Sequence, residues 1–577
     1  MAESTRPLPP LIPLSHGGWE ARSVLSSAEY TIRGLGLMPA NTVIPVILVP
    51  GIMGTNLRAK QKPRLGRRRD ERNKLAGPGQ IVWRPPNGKK DGWRESDIWE
   101  QRTPADRQKL FDAATLEVDD GGPIVFPDVQ DEYVLDQADA RQRGWGEVHA
   151  DSYGRLLYSL QTQLNQTFGF DDETKQRSIK EHWKAVMACD PRRWGVREFA
   201  QLTESELAQH AKNYYPVYCV GYNWLEDCEY SSLRLEKRII EILASWKQAK
   251  RRCDKVILIT HSMGGLVARA CAKRIPAMIA GVIHGVMPAY GAPAAYRRIV
   301  CGTESSNPSD SPAEGVASFK LAKILGHTTE RTTPVLATSP GALELLPNQL
   351  YPGAWLHVRV MKVLGQSGSL AEKNKLEGVR EAPSDYLHLP NSKVPNPYDL
   401  YRDMKSWYRL INPAIADPAE QYEKDEGGVE NAIKTAISTA EEFHHSLGDY
   451  YHPNSYAFYG DDPGKLSYSQ VRWVARHWGS LSTVYTSANV AKAQYVRRMS
   501  DGSRRVLVEG KAELDFAPEP QDARGDGTVP HLSGSGPIGK VKQVFPARGF
   551  NHQESYNNGD MLMLTLRLVV KIAQEMS

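Results

Sequence analysis

Apolar residues along the chain fall into two kinds of run. Short unalternated runs, Val43 to Val49, Val217 to Tyr222, Val256 to Ile259 and the start of "GVIHGVMPAYGAP" at 281–293, suit strands buried on both faces of a largely parallel sheet. Between them apolar residues recur at helical spacing: Leu156, Leu157, Leu160 and Leu164, then Leu235, Ile239, Ile242 and Trp246, then Leu266, Val267, Ala270 and Cys271. Alternating strand and helix predicts right-handed βαβ units on one sheet. The rhythm returns late, with strands at Tyr456–Tyr459 and 541–545 and a helix from about residue 560.

Where the rhythm lapses, the pattern divides the chain. It predicts an N-terminal extension over 1–42, the start of an α/β core over 43–57, a polar insertion over 58–150, core again over 151–293, a cap or lid insertion over 294–452, and the end of the core over 453–577. The polar insertion opens with cations from Arg58 to Lys74. Such a run is ordinarily a solvated loop; contact with anionic headgroups or an acidic partner is the alternative. In the cap, Val429, Ile433, Ala436, Ile437, Ala440 and Phe443 make one helical stripe. A stripe of this kind is more often core than the cover of an acyl pocket or a bilayer contact. Residues 493–508 predict a hairpin turning at Asp501-Gly502, a pair that supports a type I′ turn.

One junction carries chemistry. The strand ending at Ile259 runs into Thr260-His261-Ser262-Met263-Gly264-Gly265 and at once into a helix. Only a very sharp turn can join them, and it lifts the Ser262 hydroxyl above the sheet edge in a strained conformation. This is a G-x-S-x-G elbow with Thr260 in place of the first glycine. The bland alternative is a serine in an ordinary glycine-rich turn.

A serine hydroxyl attacks only when a base takes its proton, an acid orients that base and fixed N–H groups receive the oxyanion. The strand from Val43 ends in Pro50-Gly51-Ile52-Met53-Gly54, at the carboxyl edge where open α/β sheets hold ligands. The N–H groups of Met263 and Ile52 are the candidate oxyanion donors, with Met53 next. "GDGTVP" aims Asp526 from a tight loop, and His552 follows the last strand. The order Ser262, Asp526, His552 is that of the α/β-hydrolases. Asp461 or Asp462 is a rival acid and His531 a rival base.

Composition narrows the classes. A net charge of +5 over 577 residues implies no nucleic-acid partner. Six cysteines without C-x-x-C spacing indicate no disulfide framework. The first residues lack the pattern of a signal peptide, and no run of about 18 apolar residues occurs, so a soluble product made in the cytoplasm is expected. Serine chemistry of this type requires neither a metal nor an organic cofactor.

Taken together, "VILVPGIMGTNL", "GYNW", "THSMGG", "TSPGALELLP", "NSYAFYG" and "GDGTVP" resemble the lecithin:cholesterol acyltransferase and phospholipid:diacylglycerol acyltransferase branch of lipases. The elbow region is also similar to glycosylphosphatidylinositol inositol-deacylase-like proteins, and the whole chain resembles bacterial type VI secretion lipase effectors. The resemblance implies an α/β-hydrolase core with a mostly parallel sheet and large cap insertions. It further implies phospholipase activity of the A1 type on membrane phospholipid, with Ser262, Asp526 and His552 as triad and Ile52 beside Met263 as oxyanion hole. A cognate immunity protein, a spike protein of the secretion apparatus, and delivery to the target-cell periplasm or a host cell are also implied. An acyltransferase using the same acyl-enzyme and a non-catalytic toxin on an inactive hydrolase fold are the alternatives.

Overall fold

The computed structural model describes residues 11–13, 19–21, 40–60, 76–126, 134–170, 177–364, 380–478, 486–499, 502–509 and 512–576. Most of the basic run after Lys60 and the tip residue Asp501 of the expected hairpin lie outside them.

Six strands build the central sheet: β1 (Val46–Val49), β2 (Val217–Cys219), β3 (Val256–His261), β4 (Ile279–Gly285), β5 (Ser455–Gly460) and β6 (Gln543–Ala547). They lie in the order β2-β1-β3-β4-β5-β6, and every neighbouring pair is parallel. The expected strand 43–49 is divided, because Pro45 separates Thr42–Val43 from β1 and has no N–H for a ladder. Its carbonyl still accepts from the Ile257 N–H at 2.9 Å. The strand expected over 217–222 stops at Cys219.

The unalternated runs follow from burial on both faces. On one face Val46, Leu48, Ile257 and Ile259 pack with Leu156, Leu157 and Leu160 of helix α1 (Ala150–Gln163) and with Leu564, Leu568 and Ile572 of helix α4 (Gly559–Gln574). On the other, Ile47, Val49, Val256 and Leu258 pack with Leu235, Ile239 and Ile242 of helix α2 (Cys228–Gln248) and with Leu266 and Val267 of helix α3 (Gly264–Arg274). This is the layering of an α/β-hydrolase: helices on both faces of a parallel sheet. All six cysteines are buried and unbridged.

A second six-stranded sheet runs in the order Arg380–Leu389, Leu356–Leu364, Val471–Trp478, Ala512–Pro518, Arg504–Val508, Gln494–Arg498. Its one parallel pairing joins Leu356–Leu364 to Val471–Trp478; the others are antiparallel. Residues 453–577 are therefore not continuous core, since 471–518 contribute four strands to this second sheet. Its core holds Trp355, Trp407, Trp473 and Phe516 together with Ile433, Ala436, Ile437 and Ala440 of the helix Gly428–Leu447. Phe443 and Leu447 of the same helix enter the core of the central sheet. The apolar stripe is thus structural, fastening the two sheets rather than facing a pocket or a bilayer.

Candidate active site

The elbow stands where β3 meets α3. Ser262 has a positive φ of 51°, a conformation that costs on the order of 1–3 kcal/mol for a residue with a side chain. Its N–H donates to the Gly285 carbonyl at the end of β4, 2.9 Å away, which holds the turn against the sheet. Gly264 is required by close approach, because a Cβ there would meet the Val49 and Pro50 carbonyl oxygens at 2.4 Å. Thr260, in place of the usual glycine, is accommodated and buried. Its carbonyl accepts from the Tyr556 hydroxyl at 2.8 Å.

His552 and Asp526 arrive from two separate loops. His552 Nε2 lies 2.8 Å from Ser262 Oγ, and its Nδ1 lies 2.8 Å from Asp526 Oδ2. The other carboxylate oxygen of Asp526 accepts from the Thr528 and Val529 N–H groups at 3.0 and 2.7 Å. The His552 N–H donates to the Asp526 carbonyl at 2.8 Å, tying the two loops together by backbone as well. Asp526 is 1% and Ser262 4% exposed, so both groups lie in a largely desolvated setting. In chemical terms the three groups can pass a proton from hydroxyl to imidazole while a buried carboxylate steadies the resulting cation.

The rivals are engaged elsewhere. Asp461 pairs with Arg524 at 2.9 Å, and Asp462 accepts from the Gly464 and Gly549 N–H groups. His531 is turned to the Arg524 carbonyl at 3.2 Å.

The loop after β1 sits beside Ser262. A Cβ on Gly51 would come within 3.0 Å of Ser262 Cβ and 2.7 Å of His261 Nδ1. The loop is anchored at three points: the Gly51 N–H donates to the Tyr153 hydroxyl at 3.0 Å, the Tyr222 hydroxyl donates to the Pro50 carbonyl at 2.9 Å, and Trp83 Nε1–H donates to the Met53 carbonyl at 2.8 Å. Among the described residues the Ile52 and Met263 N–H groups donate to no protein acceptor, as donors reserved for an incoming oxygen would.

Sequence reasoning passed over His261 and Tyr153. The His552 carbonyl can only accept, so the His261 proton sits on Nε2, and Nδ1 accepts from the Tyr153 hydroxyl 2.9 Å away, which in turn receives the Gly51 N–H. His261 Nε2–H donates to that carbonyl at 2.9 Å. Burial, with the nearby His552, pushes His261 down to about 3 and keeps it neutral; burial also raises the Tyr153 phenol, which stays protonated. A continuous line of hydrogen bonds thus joins the loop of Ile52 to the backbone of His552. Adjacency to Ser262 was the only signal His261 offered, and Tyr153 offered none.

The fold is that of the α/β-hydrolases. A family model described as PGAP1-like alpha/beta domain matches residues 225–303, the segment that carries Ser262. Over 92% of its length the chain is similar in structure to a chain of the Tle4–Tli4 complex, covering 98% of that chain at 28% sequence identity and a TM-score of 0.70. No curated protein matches it. Among the described residues no helix is long and apolar enough to cross a membrane.

Proposed function

We propose that the protein is a serine esterase of the phospholipase A1 type, cleaving acyl esters of glycerophospholipid, and that it serves as an antibacterial effector delivered by a type VI secretion system. The reading is carried by one observation, the unbroken line Ser262 Oγ, His552, Asp526 with 2.8 Å at each step. Ser262 Oγ attacks the ester carbonyl as His552 Nε2 takes its proton. The Ile52 and Met263 N–H groups receive the oxyanion, whose stabilisation is the largest contribution expected of such donors. Asp526 holds the Nδ1–H and stabilises the imidazolium, which then protonates the departing lysophospholipid. Water, activated by the same imidazole, frees the fatty acid and restores the serine.

The similarity to a chain of the Tle4–Tli4 complex supports the effector role and a dedicated immunity protein. A spike protein of the secretion apparatus is the proposed carrier, and the target-cell periplasm or a host cell the site of action. The decisive experiment is mass spectrometry of products from phospholipids with different chains at sn-1 and sn-2, comparing wild type with Ser262→Ala. The expected result is free sn-1 fatty acid and the matching lysophospholipid from wild type alone. Acyl transfer to an added alcohol as the main outcome would overturn hydrolysis; equal toxicity of Ser262→Ala in target cells would overturn catalysis as the mode of action.

A further inference from the structure

We infer that the protein carries a second site, for a divalent transition metal of the Zn2+ type, formed by His357, Asp385 and His388 at a bulge on the edge of the second sheet. The inference does not rest on the esterase reading. The strands Leu356–Leu364 and Arg380–Leu389 pair antiparallel with His357 opposite His388; the register then steps over Tyr386, so that Arg359 stands opposite Asp385. In a regular strand, residues three apart point to opposite faces. The extra residue re-aims the chain, and Asp385 joins His388 and His357 on one face. One ligand atom from each of the three lies within 4.8 Å of the others.

His357 points to a ligand. It is 7% exposed, and its Nε2 lies 3.1 Å from the Ala354 carbonyl. A carbonyl only accepts, so the proton sits on Nε2 and Nδ1 keeps its lone pair. That Nδ1 is buried and finds no hydrogen-bond partner among the described residues, a state that ordinarily costs on the order of 1–3 kcal/mol. An imidazole oriented by a backbone carbonyl through one nitrogen, with the other bare, is how a metal-ligating histidine is usually held. The His388 ring lies 4.5 Å from that of His357, and its Nε2 is 3.4 Å from Asp385 Oδ2.

Two imidazoles and a carboxylate suit Zn2+ with a fourth position for water. Ligand bonds of about 2.0–2.2 Å require the three atoms to draw together. The exposed His388 has the rotamer freedom to do so, Asp385 can do so by loosening its pairing with Arg359, and His357 is fixed. One neighbour opposes binding: Arg359 holds both oxygens of Asp385, Nε 2.5 Å from Oδ1 and Nη2 3.3 Å from Oδ2, so its charge repels an incoming cation and must yield the carboxylate to it. A bound metal would pin the edge strand to its neighbour, where open edges otherwise invite foreign pairing.

The test uses the full chain, stripped with chelator and titrated with Zn2+ by calorimetry and with Co2+ by its visible absorption, with thermal melting alongside. A single equivalent is expected to bind and raise Tm. Affinity should fall at least about tenfold in His388→Gln and in Asp385→Asn, and rise in Arg359→Gln. His357→Gln should abolish binding; if it does not fold, the two exposed variants decide. Failure of wild type to bind, affinity unchanged by both His388→Gln and Asp385→Asn, or affinity lost rather than gained in Arg359→Gln, overturns the assignment.

Discussion

His261 Nε2 lies 2.9 Å from the backbone carbonyl of His552, so the residue before the proposed nucleophile holds the residue proposed as its base. Through Tyr153 the same ring is coupled to Gly51 beside Ile52. Tyr153→Phe leaves a buried N–H and a buried imidazole nitrogen without their partner. Because the groups so freed lie on the proposed oxyanion loop and on the ring that holds the His552 carbonyl, kcat should fall on the order of ten- to a hundredfold with KM little changed. Steady-state kinetics on a soluble ester, with circular dichroism as fold control, checks this; a change in KM alone would contradict it.

Asp526→Asn preserves shape but removes the charge that steadies the imidazolium. By analogy with the serine-protease triad, kcat should drop by about 10⁴, whereas Asp461→Asn should leave it within a few-fold. A continuous fluorogenic ester assay separates the two carboxylates. Comparable losses in both would show that Asp526 is not the acid.

Gly264 tests the elbow itself. A methyl group there would stand 2.4 Å from two backbone oxygens, and neither is the free end of a side chain. Gly264→Ala should destabilise the fold by about 1–3 kcal/mol through forced backbone displacement and abolish activity. Urea unfolding measures the first effect, and the ester assay the second.

Acid should weaken the fold through buried histidines. Burial pushes His261, His284 and His444 down to about 3 and His210 to about 4. As pH falls through about 6.5 the unfolded chain takes these protons while the folded chain does not. Their contribution is complete above about pH 6.5 and is lost progressively toward pH 3–4. Thermal melts between pH 7.5 and 5, where most carboxylates stay ionised, should show Tm declining. His210→Gln, outside the active site, should flatten that slope whatever it does to Tm at pH 7.5; an unaltered slope would contradict the assignment.

The central sheet was legible because its inner strands Val46–Val49, Val256–His261 and Ile279–Gly285 are short, largely apolar and buried on both faces, a signature that survives without tertiary context. Ser262, Asp526 and His552 were legible through chain order and loop chemistry, and the structure brings the three side chains into contact. The second sheet was not. Its parallel pairing of Leu356–Leu364 with Val471–Trp478 spans more than a hundred residues, and no local pattern records which distant strand will be the neighbour. The same limit hid the bulge that turns Asp385, since a register step exists only between two strands. His261 and Tyr153 were missed for a related reason: neither has a motif, and their roles come from which buried atoms the fold sets 2.9 Å apart.

Ser262 and His552 are separated by 290 positions along the chain, and the strand and helix that seat the imidazole loop follow the elbow in sequence. Contacts of such long range close late in folding. A ribosome-bound chain that has emerged only as far as the elbow therefore displays an inert alcohol, and the proposed reactive centre assembles only once the His552 loop has followed it. For an enzyme proposed to attack membrane lipid, the order of its parts withholds the danger from any chain made only as far as the elbow.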